Sequence, residues 1–557
     1  MSEEKTIEIL MVSMPYQGHL NPMLNLGKQL VSKGFHVTLI TTEYGRHRMK
    51  QNFHNSEVQF EFFSDGLSLD FDRSNTVALN NSLKVQGSEN LFTLLTGLTK
   101  VHNYSCVIVN PFVSFAIEVI ADHGIPCAML WIQASALYSI YYRYYKNIDS
   151  FPNLEDPNEK VYMPSFPVSD VRDLPSFMLP SSPPHFGAYM NDLFQSLDKV
   201  KWVLGTSFYE IEEEIVKSMD SLKPIYPIGP SVSPFLLGKK ETTDFRADMW
   251  NVEDSCIEWL DNKQPSSVIY ISFGSITVLS QKQMNSLATT LKNSNKSFLW
   301  VIRSDDSNAS ELPLEFLEET KGRGLVVKWS PQEKVLMHPS VACFISHCGW
   351  NSTLETLVTG VPIICYPDWT DQRTNAMLIE NVFKNGVNLK CDEDMVASTE
   401  EIERCIKEVM EGPNALKIKK RAMEIKESAR KSLQDGNSPE EWGILPDSSL
   451  SERISVLNLE ILGVSPKRGM GRLSERKLGQ TVRFSLEREN LAQEREPVAL
   501  ERKKQQWGLK EMEVDGALCG SMKLTQPKVR EKTIVVLEYF IRVIISDFPQ
   551  ESKHVNR

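Results

Sequence analysis

Two patterns of apolar and polar positions alternate along the chain. Short, mainly apolar runs at residues 7–14, 35–41, 105–109 and 125–131 are too short for buried helices and predict strands covered on both faces. Between them, residues 22–33 and 112–123 carry apolar positions at helical spacing, while the polar residues 15–21, with Pro15 and Gly18, predict a turn. Strand, turn, helix and strand in that order make the βαβ unit of a parallel sheet flanked by helices.

The pattern breaks and then restarts. The stretch from Pro224 to Asp254 is dense in Pro, Gly, Ser and charge and predicts a linker. Residues 267–272 then predict a new strand, 280–292 a helix and 298–302 another strand. A chain of 557 residues also exceeds what one hydrophobic core serves. The expected class is therefore α/β, with an N-terminal Rossmann-like domain at 1–240, a linker at 241–255, a second such domain at 256–435 and an atypical extension at 436–557. The extension mixes charges with little apolar periodicity and is expected to be weakly ordered, with a modest helix at 532–546.

Composition removes several classes of function. A net charge of −11 repels phosphate backbones, so no nucleic-acid partner is expected. The nine cysteines are odd in number and never spaced as C-x-x-C, which predicts neither a disulfide framework nor a zinc site. Glu3 and Glu4 ahead of a short apolar run are unlike a signal peptide, and the late apolar run 534–545 is short and contains Glu538 and Arg542. A cytoplasmic protein without a membrane span is the expectation.

The densest chemistry lies between Trp329 and Gln372. Phe344 to Ser346 reads as a strand end, followed by a turn through His347, Cys348, Gly349, Trp350, Asn351 and Ser352 into a helix near Thr353. A helix N-terminus gathers free N–H groups and suits a diphosphate, and Gly349 allows close backbone approach. Over its whole length this stretch resembles the signature box of plant UDP-dependent glycosyltransferases of family 1, and the likeness runs from about Ile7 to Gln434.

That resemblance implies the GT-B fold, two facing Rossmann-like domains. It implies that Trp329 stacks on uracil, Gln332 bonds the nucleoside, His347, Asn351 and Ser352 hold phosphates, and Glu355 takes the ribose hydroxyls. Ser275, in the Ser272-Phe273-Gly274-Ser275 loop, joins the UDP set; Trp350, Asp371 and Gln372 would contact glucose, with Gln133 as a further sugar contact. No metal or held cofactor is implied, only UDP-glucose as donor, and a monomer is expected. Asp70-Phe71-Asp72 mimics a metal-binding D-x-D but reads as a solvated loop, and His36 reads as structural.

The loop from Pro15 to Pro22 resembles the family's first loop, which makes His19 the expected general base. The family's partner aspartate is replaced here by Asn110. A neutral amide supports a charged imidazolium less than a carboxylate does. A carboxylic acid arrives already ionised and needs no strong base, whereas a phenol does. Removing the fixed charge would also leave a protonatable His19 to attract an anionic acceptor. Residues 172–180, 199–204 and 224–238 resemble plant acyl-glucosyltransferases of the indole-3-acetate type. The expected reaction is transfer of glucose, with inversion, to the carboxylate of a small aromatic acid. Two alternatives stay open: an O-glucosyltransferase for phenols or flavonoids, and a UDP-sugar binder silenced by the altered C-terminus. A nicotinamide dehydrogenase is disfavoured because no G-x-G-x-x-G follows the first strand.

Overall fold

The computed structural model describes residues 7–49, 56–238, 255–274, 277–302 and 311–434; Ser275, residues 241–254 of the expected linker and the whole expected extension lie outside them. The first apolar runs form β1 (Glu8–Val12), β2 (His36–Thr42), β3 (Gln59–Phe63), β4 (Tyr104–Val109) and β5 (Cys127–Trp131). A small antiparallel pair follows, β6 (Lys160–Val161) and β7 (Ser169–Asp170), then β8 (Trp202–Gly205) and β9 (Ile225–Pro227). Apart from that pair, the strands form one parallel sheet of seven in the order β3-β2-β1-β4-β5-β8-β9.

The second half repeats the plan with β10 (Val268–Ser272), β11 (Ser297–Val301), β12 (Gly324–Val327), β13 (Val341–Ser346), β14 (Ile363–Cys365) and β15 (Gly386–Asn388). These six run parallel in the order β12-β11-β10-β13-β14-β15. In each sheet the first strand of its half lies centrally and the order reverses beside it, between β1 and β4 and between β10 and β13. Open α/β sheets bind ligands at the carboxyl ends of the strands at such a reversal.

The strands are apolar on both faces because helices cover both. In β1, Ile9 and Met11 enter one core cluster while Leu10 and Val12 enter another. In β10, Ile269 and Ile271 point one way and Val268 and Tyr270 the other. Each such side chain contributes about 1.5–3 kcal/mol on burial. The first-half cluster also takes in Trp350, Leu354 and Leu357 of the second half, and Ile425 and Ala429 of the last described helix, Gly412–Gln434. The two halves therefore share apolar packing.

Three boundaries differ from the sequence reading. The first helix spans Gln17–Val31, so most of the expected turn is helical and Pro22 lies inside it. The helix expected at 112–123 divides at Val113 into a tight turn, Pro111–Val113, and the helix Ser114–Asp122. The helix expected near Thr353 begins at Trp350, with Gly349 as its cap, which moves Asn351 and Ser352 from the loop into the first helical turn.

Candidate functional site

His19 and Asn110 come from the two loops at the first reversal. His19 is the third residue of the helix that follows β1, and Asn110 directly follows β4, whose Val109 is in register with Val12. The His19 ring packs at 4.7 Å from Phe112 and 5.7 Å from Tyr16, centroid to centroid. Its Nδ1 is buried without a hydrogen-bond partner. Burial pushes the imidazole down to about 4, a shift that the nearby Asn110 amide offsets only in part. A ring neutral at physiological pH takes the place of the protonatable, anion-attracting one expected from sequence.

Asn110 is wholly buried. Its backbone N–H donates to Val12 O at 2.9 Å, and its side-chain Oδ1 accepts from the N–H of Phe112 at 2.9 Å. The Nδ2 end is buried and unpartnered. Gln133, just past β5, is also buried, and its Oε1 has no partner.

The second reversal carries the expected UDP residues. Gln332 opens the helix Gln332–Met337 and reaches three others: its Nε2 donates to Ser352 Oγ at 2.9 Å and to Glu355 Oε2 at 2.7 Å, while its Oε1 accepts from the Tyr270 hydroxyl at 3.2 Å. Trp329, half-buried, precedes this helix. His347 follows β13 and is cradled by two glycines: a Cβ on Gly274 would lie 2.7 Å from its ring, and one on Gly349 2.5 Å from its Nε2. Gly274 also has φ +71°, which a side chain would strain.

The expected sugar contacts differ in what they leave available. Asp371 is buried and accepts from Thr370 Oγ1 and Asn375 Nδ2, each at 2.7 Å; burial raises its carboxyl above the ordinary range against those bonds. Gln372 Oε1 accepts from the N–H groups of Asp368 at 2.9 Å and Trp369 at 3.4 Å, so its amide nitrogen is the end left for a ligand. The Trp350 indole is buried between the halves and donates to Thr206 Oγ1 at 3.2 Å, so the ring itself is committed to packing. Asn351 Nδ2 donates to Gly18 O at 2.9 Å across the cleft. That carbonyl is free of its helix partner because Pro22, four residues on, has no N–H.

Sequence reasoning missed the residues that hold these groups. Thr206 anchors Trp350 from 144 positions away, and Ser176 and Thr370 exchange two hydrogen bonds of 2.8 and 2.9 Å across 194 positions. Glu212 is buried in the helix Tyr209–Ser218 and accepts from the N–H groups of Ser135 and Ala136 at 3.0 and 2.9 Å, fixing the turn beside Gln133. An acid in an amphipathic helix with Glu210, Glu213 and Glu214 gives no signal that it points inward. Asp70 and Asp72 lie in a loop where Asp72 accepts from Ser74, and no metal-holding cluster exists among the described residues. His36 lies 3.8 Å from Glu8, away from the cleft residues. No helix among the described residues is long and apolar enough to cross a membrane.

Known proteins with the same arrangement place the chain. Residues 245–427 match the family described as UDP-glucoronosyl and UDP-glucosyl transferase. UDP-glycosyltransferase 84B1 of Arabidopsis thaliana is 46% identical over 444 residues, covering 78% of this chain and 96% of that protein. Gallate 1-beta-glucosyltransferase of Quercus robur is 37% identical, covering 79% and 88%. The crystal structure of Os79 from O. sativa in complex with UDP superposes with a TM-score of 0.69 at 29% identity, covering 78% of this chain and 98% of that one. With paired parallel sheets and the signature residues gathered at their reversals, this chain belongs to the family of UDP-glycosyltransferases, and it is an enzyme of the GT-B fold that draws on a UDP-sugar donor.

Proposed function

We propose that the enzyme transfers glucose from UDP-glucose, with inversion, to a carboxylate oxygen of a small aromatic acid, giving a 1-O-acyl β-glucose ester. The observation that carries this reading is the neutral, buried pair of His19 and Asn110 where a base and its supporting acid would serve a phenol. The likeness to a gallate 1-beta-glucosyltransferase supports the acid class. Indole-3-acetate is the acceptor we propose within it.

In this reading residues 1–240 bind the acceptor and 256–435 the donor. Trp329, Gln332, His347, Asn351, Ser352, Glu355 and Ser275 hold UDP, while Asp371, Gln372, Gln133 and the Trp350 backbone meet glucose. The acceptor carboxylate attacks the anomeric carbon as its bond to the diphosphate breaks, and the departing charge falls on donors at a helix N-terminus. Both loop sets come from one chain, which supports a monomeric working unit. The eight described cysteines are all free, which supports a reducing compartment such as the cytoplasm.

The test is product analysis with UDP-glucose and a matched panel of indole-3-acetate, cinnamate, benzoate and quercetin. Base-labile esters from the acids are expected. Base-stable glucosides from quercetin alone would overturn the acid class, and tight UDP binding without turnover would point to a silent sugar binder.

A further inference from the structure

Resting on the assignment of Asp371 and Gln372 to glucose, we infer that Ser176 of the first half is a positioning residue for the donor sugar: it holds Thr370 in a left-handed backbone conformation and, through Thr370, aims Asp371 and Gln372. Thr370 has φ +57°. A β-branched residue is an outlier there, because its side chain crowds the backbone, and the conformation persists only where the surroundings over-determine it. What over-determines it comes from the other half. The Thr370 N–H donates to Ser176 Oγ at 2.8 Å and the Ser176 N–H donates to Thr370 O at 2.9 Å, so both backbone polar groups of the strained residue are held by one partner.

Ser176 is itself fixed. It is buried at the start of the tight turn Ser176–Met178, and its carbonyl accepts from the Leu179 N–H at 2.9 Å and the Ser182 hydroxyl at 2.6 Å. Contacts on either side of the bridge keep it in place: the Phe177 ring lies 6.0 Å from Trp369, centroid to centroid, and the Thr374 hydroxyl donates to Asp173 O at 2.7 Å. Residues 173–177 therefore grip residues 369–374 at three points.

The consequence falls on the two sugar contacts. Thr370 Oγ1 donates to Asp371 Oδ1 and Asn375 Nδ2 to Asp371 Oδ2, so both carboxylate oxygens are set, while Gln372 Oε1 is tied to the N–H groups of Asp368 and Trp369 on the other side of Thr370. Relaxation of Thr370 to a negative φ would turn residues 368–369 against residues 371–372 and break that tie. The groups that would read the donor sugar thus take their geometry from a residue 194 positions away.

The experiment is calorimetric titration of the full chain with UDP-glucose and, separately, with UDP, which lacks the sugar; no acceptor is needed, so the outcome does not depend on the acceptor class. Ser176→Ala, which removes one bond of the bridge, should weaken UDP-glucose about tenfold and leave the Kd of UDP within about twofold. In a Thr370→Gly background, where glycine holds φ +57° unaided, Ser176→Ala should cost less than about twofold in UDP-glucose. Equal weakening of both ligands, weakening of neither, or an undiminished loss in the glycine background would overturn the inference. Asp371→Asn keeps two failures apart. If it leaves UDP-glucose binding unchanged, the sugar assignment falls and the inference with it; if it weakens UDP-glucose alone while Ser176→Ala does not, only the bridge falls. Should Ser176→Ala not fold, Ser176→Cys, whose sulfur is a weaker acceptor, is read against the same limits.

Discussion

The two sheet reversals share a topology and satisfy their polar groups to different degrees. On the donor side, Gln332 ties Ser352, Glu355 and Tyr270 together, and Asp371 and Gln372 are held by Thr370, Asn375, Asp368 and Trp369. On the acceptor side, His19 Nδ1, Asn110 Nδ2 and Gln133 Oε1 are buried without hydrogen-bond partners, against Asn375 Oδ1 among those donor-side groups. A buried unpaired polar group costs about 1–3 kcal/mol. In the proposed reading, the half assigned to the nucleotide ties more of these groups together in advance, and the half assigned to the acceptor keeps more hydrogen-bonding capacity unspent.

The largest effect should come from disturbing the organised side. Gly274→Ala forces strain at φ +71° and drives a Cβ to 2.7 Å from the His347 ring, and a displacement near 1 Å costs about 10²-fold in rate. Steady-state kinetics in UDP-glucose should show that loss in kcat/KM; a change under threefold would mean the donor side is not rigidly set. Next, Glu355→Gln removes a charged acceptor and should raise KM for UDP-glucose by about 10–30-fold while kcat moves less. An unchanged KM would take Glu355 out of the donor set.

The acceptor side should reveal itself through pH. Unfolded His19 takes a proton near 6.5 and the folded ring only near 4. Between those values the unfolded chain holds the extra proton, so the contribution is fully present above 6.5 and is lost as pH falls towards 4. Urea midpoints at pH 7 and pH 5 should differ less in His19→Gln than in wild type, and an equal difference would place the ring in a water-like setting. The smallest effect is expected from Thr206→Val, which strands the Trp350 indole N–H at a cost of about 1 kcal/mol, read as a Tm lowered by a few degrees. A Tm equal to wild type would mean that bond adds nothing to the joining of the halves.

Much of this was legible in the sequence because strands buried on both faces write themselves as apolar runs, as residues 7–14 and 267–272 did for β1 and β10. The signature residues were legible as a block, and Gln332, Ser352 and Glu355 do meet. The helix starts were not: Pro22 reads as a beginning yet lies inside, and Gly349 caps a helix three residues earlier than expected. Partners separated by long stretches of chain, such as Thr206 and Trp350, leave no periodic trace. The charge state of His19 was equally hidden, since it depends on how deeply the folded loops enclose the ring.

Pro22 has one more consequence. Any other residue there would direct a backbone N–H at the Gly18 carbonyl, and Asn351 would then share that oxygen with the helix. With proline that helical bond is never made, and the Gly18 carbonyl gives its lone pairs to Asn351 of the other half instead. What a reader of the sequence would mark as a flaw in the helix thus supplies the acceptor through which a backbone of one half holds a side chain of the other.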